Sequence, residues 1–417
     1  MNILPAILTG VAFCWAATIS SASGQDNTSG TPVAVEAGKQ ASSAAAILEN
    51  MRPFPASAKS AVDHLFAFVA KPGQHPFIPA EESALVDFVI QASAQDSGWK
   101  LPPLASAEGA AYIVTIAAPL QHYLDLNFNP GIPDYAVFPA SLRYSACQDS
   151  NAMQQAYACI KAGPTGAQQY VTSEIKGTEE ITPNPESGSY FSYANTRTFL
   201  RCKVGGREVL FSCAETTAPS TLSNRGALVG PLDRGLFYYS EKPGLNVAGM
   251  TWMTSQIFHS TTLSVYIALS SNETAVANFA WLNAGWKGLN VTQAKHILNS
   301  QKTTLDFSRK IAEHRRITPA GLAEMVSEVQ GLSEATVNAD YEKYLSYVRA
   351  WRDRTKSGLF APRNLLLDLY DTKVNESITR AYRRALLVQE RVRSSLGIPT
   401  WSAPGAVAWE HAKLSAH

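Results

Sequence analysis

Residues 198–213 read Thr198-Phe-Leu-Arg-Cys-Lys-Val204, Gly205-Gly206 and Arg207-Glu-Val-Leu-Phe-Ser-Cys213. Two alternating runs with a pair of glycines between them are typical of a β-hairpin, because its two-residue turn needs positive φ angles that glycine adopts easily. The pattern therefore predicts two antiparallel strands that meet at Gly205 and Gly206.

A two-residue turn also determines which residues face each other across the hairpin. Val204 pairs with Arg207, and all other pairs follow from that one. Lys203 then lies opposite Glu208, which is a favourable pair of charges on one side of the hairpin. The other side carries Thr198 opposite Cys213, Leu200 opposite Phe211, and Cys202 opposite Val209. A slip by one residue would exchange the two sides, so the register is specific.

The hairpin belongs to a longer run of predicted strands over residues 111–269, with helical patterns before and after it. We predict an α+β fold with an antiparallel sheet of about eight strands. Helical layers over residues 35–95 and 272–395 flank this sheet, and residues 396–417 form an irregular tail. Neither helical block covers its apolar face alone, so residues 35–417 are predicted to form one domain.

Three local patterns add detail to this plan. Residues 123–129 alternate between apolar and polar side chains, which indicates a strand. Residues 162–189 are rich in Gly, Thr, Pro, Ser and Glu, which indicates a long loop with one strand near 169–175. Ser270-Ser-Asn-Glu273 fits a capping box, which predicts that a helix starts here. Apolar residues then follow at helical spacing, namely Val276, Phe279, Leu282 and Trp286.

Residues 1–24 contain no charged side chain and include an apolar run from Ile3 to Ile19, followed by small residues. This arrangement resembles a secretory signal peptide, although no Lys or Arg precedes the apolar run. A membrane anchor is the alternative, but a run of about 17 residues is short for a span. We therefore predict a signal peptide, a disordered leader over 25–34, and a secreted or periplasmic protein with no membrane span in the mature chain.

The mature chain then holds four cysteines, namely Cys147, Cys159, Cys202 and Cys213. An even number in an exported protein predicts two disulfides. In the hairpin register Cys202 and Cys213 stand four rungs apart, on the order of 13 Å, whereas a disulfide needs Cα atoms within about 7 Å. We therefore expect the segment 147–159 to be joined to the hairpin. A local bridge between Cys147 and Cys159 is the alternative.

Composition and motifs exclude several functional classes. Hydrophobic residues make up 46% of the chain and charged residues 17%, which is typical of a packed globular protein. The net charge of +1 offers no electrostatic basis for binding nucleic acid. The sequence has no G-x-S-x-G, H-E-x-x-H, Walker A or G-x-G-x-x-G motif, and its histidines are scattered. We therefore predict no cofactor and no metal site.

Aromatic side chains are frequent in the second half of the predicted sheet. Adjacent residues on a strand point to opposite faces, so one aromatic face packs on helices and the other is open or covered by the second helical layer. Candidates for a binding face are Tyr190, Tyr193, Tyr238, Trp252 and Phe258. His259 is a further candidate because it lies near a predicted strand end, where functional side chains often occur, although a structural role is the alternative.

These observations favour a non-catalytic protein that binds a ligand or partner through the aromatic face or the 162–189 loop. The partner would be an unidentified small molecule or an envelope protein. A secreted hydrolase with catalytic groups far apart in sequence is one alternative, and a structural envelope component is another. Converging Ser, His and Asp side chains would favour the enzyme, an open apolar groove would favour binding, and a flat dry patch would favour assembly.

Overall fold

The computed structural model describes residues 51–71, 74–165, 168–183, 188–228, 235–247, 250–357 and 380–401. Over these residues the chain has an α+β fold with a large sheet, which confirms the predicted fold class. The large sheet holds ten strands rather than about eight. Several predicted segments lie outside the described residues. They are the signal peptide, the leader, residues 35–50 of the N-terminal helical layer and residues 402–417 of the tail.

Strands and helices are numbered here in chain order. The strands of the large sheet are β1 (Arg52–Pro53), β2 (Ser97–Leu104), β3 (Ala107–Ile116), β4 (Leu142–Cys147), β5 (Tyr170–Ile181), β7 (Ser192–Val204), β8 (Arg207–Thr216), β13 (Gln256–Ala268), β14 (Thr274–Trp286) and β15 (Leu289–Asn290). Two smaller sheets contain β6 (Ser189–Tyr190), β9 (Asn224–Leu228), β10 (Phe237–Pro243), β11 (Leu245–Val247) and β12 (Met250–Met253).

Helices of the described residues precede, interrupt and follow these strands. They are α1 (Ala56–Ala70), α2 (Ser83–Ser93), α3 (Leu120–Phe128), α4 (Asp134–Val137), α5 (Ser150–Ala162), α6 (Ala294–Glu313), α7 (Pro319–Gly331), α8 (Glu334–Ser357) and α9 (Arg380–Ser395). A 3-10 turn over Pro79–Glu82 leads into α2. Helix starts follow ordinary capping chemistry, since Asp149 accepts from the backbone of α5 and Thr318 accepts from that of α7.

The large sheet has the strand order β1-β2-β3-β14-β13-β8-β7-β5-β4, and β15 pairs with the end of β14. The short strand β1 runs parallel to β2, whereas the pairs from β2 to β4 are antiparallel. The strands that are adjacent at the centre, β3, β14, β13 and β8, come from distant parts of the chain. The centre of the sheet is therefore built by strand pairing between segments that are far apart in the sequence.

The central hairpin has the predicted register. Val204 pairs with Arg207, Cys202 pairs with Val209, and Thr198 pairs with Cys213. Both turn glycines have positive φ, 56° at Gly205 and 80° at Gly206, as a type I′ turn requires. Lys203 and Glu208 form an ion pair of 3.2 Å on the exposed side.

The large sheet separates two hydrophobic cores, because side chains alternate between its faces. One face packs with buried residues of α1 and α2, and its own contributions include Phe211, Leu263 and Phe279. The opposite face, called the cavity face below, packs with residues of α3, α6, α7, α8 and α9. The α1–α2 face carries large side chains at the sheet centre, whereas the cavity face carries many small ones.

The predicted helix after Ser270 is wrong, because Thr274–Trp286 is strand β14. Residues 270–273 form the turn between β13 and β14, where the backbone N–H of Leu269 donates to Glu273 O. β14 contributes Val276 to the core of the cavity face and Phe279 to the core of the α1–α2 face, so both of its faces are buried and the usual alternation of apolar and polar residues is hidden. The remaining apolar residues happened to match a helical spacing.

Two further local predictions are corrected by the structure. Residues 120–128 form helix α3 rather than a strand, because Leu120, Tyr123, Leu124 and Asn127 are buried together at helical spacing. The one strand expected near 169–175 is the longer β5, whose twelve residues lie within the predicted 162–189 loop and pair with β7 from Tyr170 to Glu180. Pairing on both sides outweighs the low strand propensity of its Gly and Glu residues, since context dominates that propensity.

The predicted disulfides are absent, and the four described cysteines are free. Cys202 and Cys213 are buried in the core on the α1–α2 face. Cys147 packs against the core of the cavity face, so the sheet lies between it and the hairpin cysteines. The structure therefore does not show the expected link from the 147–159 segment to the hairpin, and it places Cys147 on the opposite face of the sheet from Cys202 and Cys213. Separately, no helix of the described ranges has both the length and the apolar character to cross a bilayer.

Candidate functional site

A cavity with a volume of about 400 Å³ lies between the cavity face of the sheet and helix α6. Strands β5, β7, β8, β13 and β14 supply one wall, and α6 supplies another. Helices α3 and α4 contribute Tyr123, Asn127, Phe128 and Asp134. The volume lies within the range of about 300–1,000 Å³ that is typical of small-molecule sites.

Small side chains on neighbouring strands create this space. Ala110, Ala280, Thr262 and Ala214 occupy one row across β3, β14, β13 and β8. The next row places Asn278 beside Ser264 and Ser264 beside Ser212. Short side chains cannot reach α6, so a void stays open between helix and sheet.

Helix α6 lines the cavity with one face. His296, Ile297, Ser300, Gln301, Thr304 and Leu305 recur at the spacing of a single helical face. Gln301 fastens α6 to the sheet, because its Nε2 donates to Asn278 O at 2.9 Å and to Ala110 O at 3.2 Å. Thr304 also shares a hydrogen bond with Ser141. The helix is thus held over the sheet by polar contacts at the cavity rim.

A charged cluster lies against the same cavity. Arg197 on β7 donates to Asp134 Oδ2 at 3.2 Å and to Glu179 Oε1 at 2.9 Å. Glu179 also accepts from Tyr193 Oη at 2.7 Å and from Asn195 Nδ2 at 2.8 Å. Because these strands pair as β5 with β7, the register itself brings Tyr193 opposite Glu179. Two carboxylates therefore share one guanidinium.

Burial affects the protonation of this cluster. Burial raises the pKa of Asp134, Arg197 opposes the change, and Glu179 adds to it. Burial alone would lower the pKa of Arg197, but Asp134 and Glu179 outweigh it and raise that pKa. The side chains of Arg197 and Asp134 each remain 19% exposed, and both line the cavity. They can therefore meet a molecule that enters it.

Three amide oxygens that line the cavity are buried and have no hydrogen-bond partner within the part of the chain that the structure describes. They are Asn127 Oδ1, Asn278 Oδ1 and Gln301 Oε1. A buried polar atom without a partner costs about 1–3 kcal/mol. Buried polar atoms without a protein partner bind ordered water or a ligand, so the three oxygens mark the cavity as a candidate binding site.

His296 is the histidine of this cavity. Burial lowers its pKa to about 4, and the nearby charge of Lys295 contributes. The imidazole is therefore neutral near pH 7. Its neighbours on the same helix face include Ser300, which also lines the cavity.

A second cavity of about 120 Å³ adjoins the charged cluster. Asp134, Glu179 and Arg197 line both cavities, so these three side chains lie between the two spaces. Cys147 and Met153 belong to the smaller one. Among the described residues, no group of three His, Cys, Asp or Glu side chains is arranged to hold a metal ion.

The structure disperses the residues that the sequence suggested. Tyr193 lines the cavity. Tyr190 is buried beside Tyr239, and both rings lie against Arg143, whose guanidinium is 4.7 Å from one ring centre and 4.3 Å from the other. Arg143 also pairs with Glu180. The faces of the Tyr190 and Tyr239 rings are therefore covered by Arg143.

Two of the other suggested residues, Phe258 and His259, are not among the described residues that line the cavity. Phe258 and His259 lie at a β-bulge of β13. His259 Nε2 contacts Thr261 Oγ1 at 3.0 Å and Glu215 at 3.4 Å, and its side chain is 38% exposed. The side chains of Tyr238 and Trp252 lie outside what the structure describes. The suggested aromatic face is therefore represented in the cavity by Tyr193.

Sequence reasoning missed most residues of the cavity. Asp134, Glu179, Arg197, Asn278 and Gln301 stand far apart in the chain, and none belongs to a motif. One signal was present, because Arg197 is a charged residue in the interior of strand β7. A charge at such a position needs a partner, but only the strand order identifies Glu179 and Asp134 as that partner.

Two solved structures resemble part of this chain. The lipid transfer and protein localization domain of human StarD13 (DLC2) shares 7% identity over 53% of this chain and 95% of that domain, with a TM-score of 0.23. The aromatase/cyclase Zhui from Streptomyces sp. R1128 shares 12% identity over 54% of this chain and 99% of its own, with a TM-score of 0.18. No protein-family model and no curated protein matches the chain. TM-scores this low do not establish a shared fold.

Proposed function

We propose that this protein binds a small amphipathic molecule, without transforming it, in the cavity between the sheet and α6. The observation that carries the proposal is a cavity of about 400 Å³ lined by three amide oxygens that lack partners. Apolar side chains such as Phe128, Val276 and Leu305 also line it. An apolar body with hydrogen-bond donors would satisfy both kinds of surface.

The contacts of the two carboxylates favour binding over hydrolysis. Hydrolysis by a serine triad needs a carboxylate that orients a histidine. Asp134 is bonded to Arg197, and Glu179 is bonded to Arg197, Tyr193 and Asn195. Neither has His296 as a partner. A histidine whose pKa is about 4 is also poorly matched to general-base work near pH 7.

Three further parts of the proposal concern the setting of the cavity. The helices α1 and α2 and the C-terminal helices would act as two layers that close the sheet on both faces. The ligand would be a small molecule rather than an envelope protein, because the candidate site is an internal cavity. Export would follow from the uncharged apolar segment over residues 1–24.

Binding of N-phenyl-1-naphthylamine tests the proposal. This neutral dye has an apolar body and one N–H donor, and its fluorescence rises in apolar surroundings. We expect saturable binding of one dye per protein. The variant Ala280→Phe places a phenyl ring inside the cavity and should weaken binding at least tenfold.

The matched control is Ala339→Phe, which adds the same ring at an exposed position of α8. Its dye affinity should stay within twofold of the wild-type value. Circular dichroism and thermal melts would establish that both variants are folded. The proposal is overturned if the wild-type protein shows no saturable binding, or if folded Ala280→Phe binds the dye as the wild type does.

A further inference from the structure

We infer that the ligand of the cavity carries a protonated amine, which donates a hydrogen bond to the carboxylate of Asp134. This inference rests on the proposed function, because it names the chemical class of the molecule bound at the same site. It follows from the charges, the hydrogen-bond partners and the unpartnered oxygens of the cavity lining.

Among the described residues that line the cavity, the charges leave one carboxylate without a counterion of its own. Asp134 and Glu179 are the carboxylates that line the cavity, and Arg197 is the cation that lies between them. His296 is neutral near pH 7. Tyr123, Tyr193 and Tyr266 also line the cavity, and burial raises the pKa of each phenol, so they stay uncharged. A bound cation would balance the site.

The hydrogen bonds distinguish the two carboxylates. Glu179 accepts three donors, from Tyr193, Asn195 and Arg197. Asp134 accepts one, from Arg197 to Oδ2 at 3.2 Å. Within the described part of the chain no residue donates to Asp134 Oδ1. Asp134 is therefore the carboxylate with capacity for a ligand donor.

The unpartnered oxygens require the same kind of ligand. Asn127 Oδ1, Asn278 Oδ1 and Gln301 Oε1 accept hydrogen bonds and donate none. An ammonium group offers three donors and no acceptor, so it matches a lining rich in acceptors. A carboxylate ligand offers only acceptors, and at the charged cluster it would meet Asp134 and Glu179 beside the one guanidinium. The cavity therefore discriminates against anions.

The raised pKa of Asp134 predicts how amine binding depends on pH. Burial raises the pKa of Asp134, so a proton neutralises it more readily than an exposed aspartate. The charged or titratable groups that face Asp134 are Arg197 and Tyr193 from β7, Glu179 from β5 and Tyr266 from β13. Protonation of Asp134 and binding of an ammonium group compete, because the ammonium group is attracted by the ionised carboxylate. Amine affinity should therefore increase as the pH rises through the pKa of Asp134.

Three naphthalene probes with different head groups test the inference on the intact protein. They are 1-naphthylmethylamine, 1-naphthalenemethanol and 1-naphthoate, which carry a cation, a neutral hydroxyl and an anion on the same rings. Their affinities follow from displacement of N-phenyl-1-naphthylamine at pH 7.5. We expect the amine to bind at least tenfold more tightly than the alcohol and the carboxylate to bind more weakly still. A carboxylate that binds as tightly as the amine overturns the inference.

The variant Asp134→Asn tests which residue sets this preference. It keeps the size of the side chain and removes its charge, while Glu179 still pairs with Arg197. The affinity ratio of amine to alcohol should fall towards one. The control Asp63→Asn removes an exposed carboxylate that pairs with Lys59 on α1, and it should leave the ratio unchanged. A folded Asp134→Asn protein that keeps the ratio overturns the assignment to Asp134.

The two proposals fail in different ways. If the dye binds in the cavity but the amine is not preferred, the amine inference is wrong and the proposed function stands. If the dye does not bind the wild-type protein, both fail. The ranking of the three probes on the wild-type protein decides the inference even if Asp134→Asn does not fold.

Discussion

Glu82 is a buried ionisable residue at the end of the 3-10 turn on the α1–α2 face, and its replacement by glutamine should change how stability depends on pH. Its side chain has no exposed surface, and its Oε1 lies 2.6 Å from His64 Nδ1. No partner reaches its Oε2 in the described structure. Burial raises the pKa of Glu82 from 4.5 to about 7, although His64 opposes the change.

The size of the effect follows from the two pKa values. Below pH 4.5 the carboxyl of Glu82 is protonated in the folded and unfolded chains, so its burial as a charge does not lower the free energy of unfolding. Above its folded pKa it is ionised in both, and the folded state bears the cost of the buried charge. At 1.36 kcal/mol for each pKa unit, the interval from 4.5 to about 7 corresponds to about 3 kcal/mol. This stability is lost as the pH rises through that interval.

His64 acts in the same direction. Burial would lower its pKa, but the hydrogen bond and charge of Glu82 outweigh burial and raise it above 6.5. A raised histidine pKa stabilises the fold below the ordinary value, and the stabilisation is lost as the pH rises through the folded pKa. The pair therefore makes the folded protein less stable at pH 8 than at pH 5.

Thermal unfolding of three proteins at pH 5 and pH 8 provides the assay. With an unfolding entropy of about 2.1 cal/mol/K per residue, about 3 kcal/mol corresponds to a shift in Tm of about 3 °C. The Tm of Glu82→Gln minus the Tm of the wild type should therefore be about 3 °C higher at pH 8 than at pH 5. Glu81→Gln is the matched control, because Glu81 is half exposed and lies 3.2 Å from the same histidine. If Glu82→Gln is destabilised more at pH 8 than at pH 5, or Glu81→Gln shows the same gain, this explanation of Glu82 is wrong.

Three other predictions concern the sheet and its flanks. Burial raises the pKa values of Cys202 and Cys213 to about 12, so a thiol reagent at pH 8 should count two fewer thiols in the folded than in the denatured protein, and equal counts would contradict their burial. Gly206→Ala should cost about 1 kcal/mol of unfolding free energy, because φ is 80° and no atom crowds the added Cβ, whereas Gly206→Asn should cost less; equal costs would argue against a conformational origin. Arg143→Met should cost about 3–5 kcal/mol by leaving the buried Glu180 without its cation, and adding Glu180→Gln should restore much of the loss in denaturant titrations; a double variant no better than the single one would refute this.

The parts of the fold that depend on local chemistry were predictable from sequence. The Gly205–Gly206 turn permits one geometry, and that geometry determines the register of a hairpin without reference to the rest of the chain. The starts of α5 and α7 were predictable for the same reason, because Asp149 and Thr318 cap the residues that immediately follow them.

Features that depend on long-range packing were not predictable. Strand β14 is buried on both faces because it contributes side chains to both hydrophobic cores, and that burial removes the alternation by which a strand is recognised. The candidate site depends on packing even more. The alanines and serines that create the cavity have no distinctive pattern along the chain, and Asp134, Glu179 and Arg197 meet only through the strand order.

A crystal structure of the wild-type protein with N-phenyl-1-naphthylamine bound tests the central claim most directly. We predict density for the dye between β13, β14 and α6, with its rings against Ala280 and Thr262 and its N–H directed at one of the unpartnered amide oxygens. Density confined to the protein surface, or a cavity closed by collapse of α6 onto the sheet, would contradict the claim that this space is a binding site.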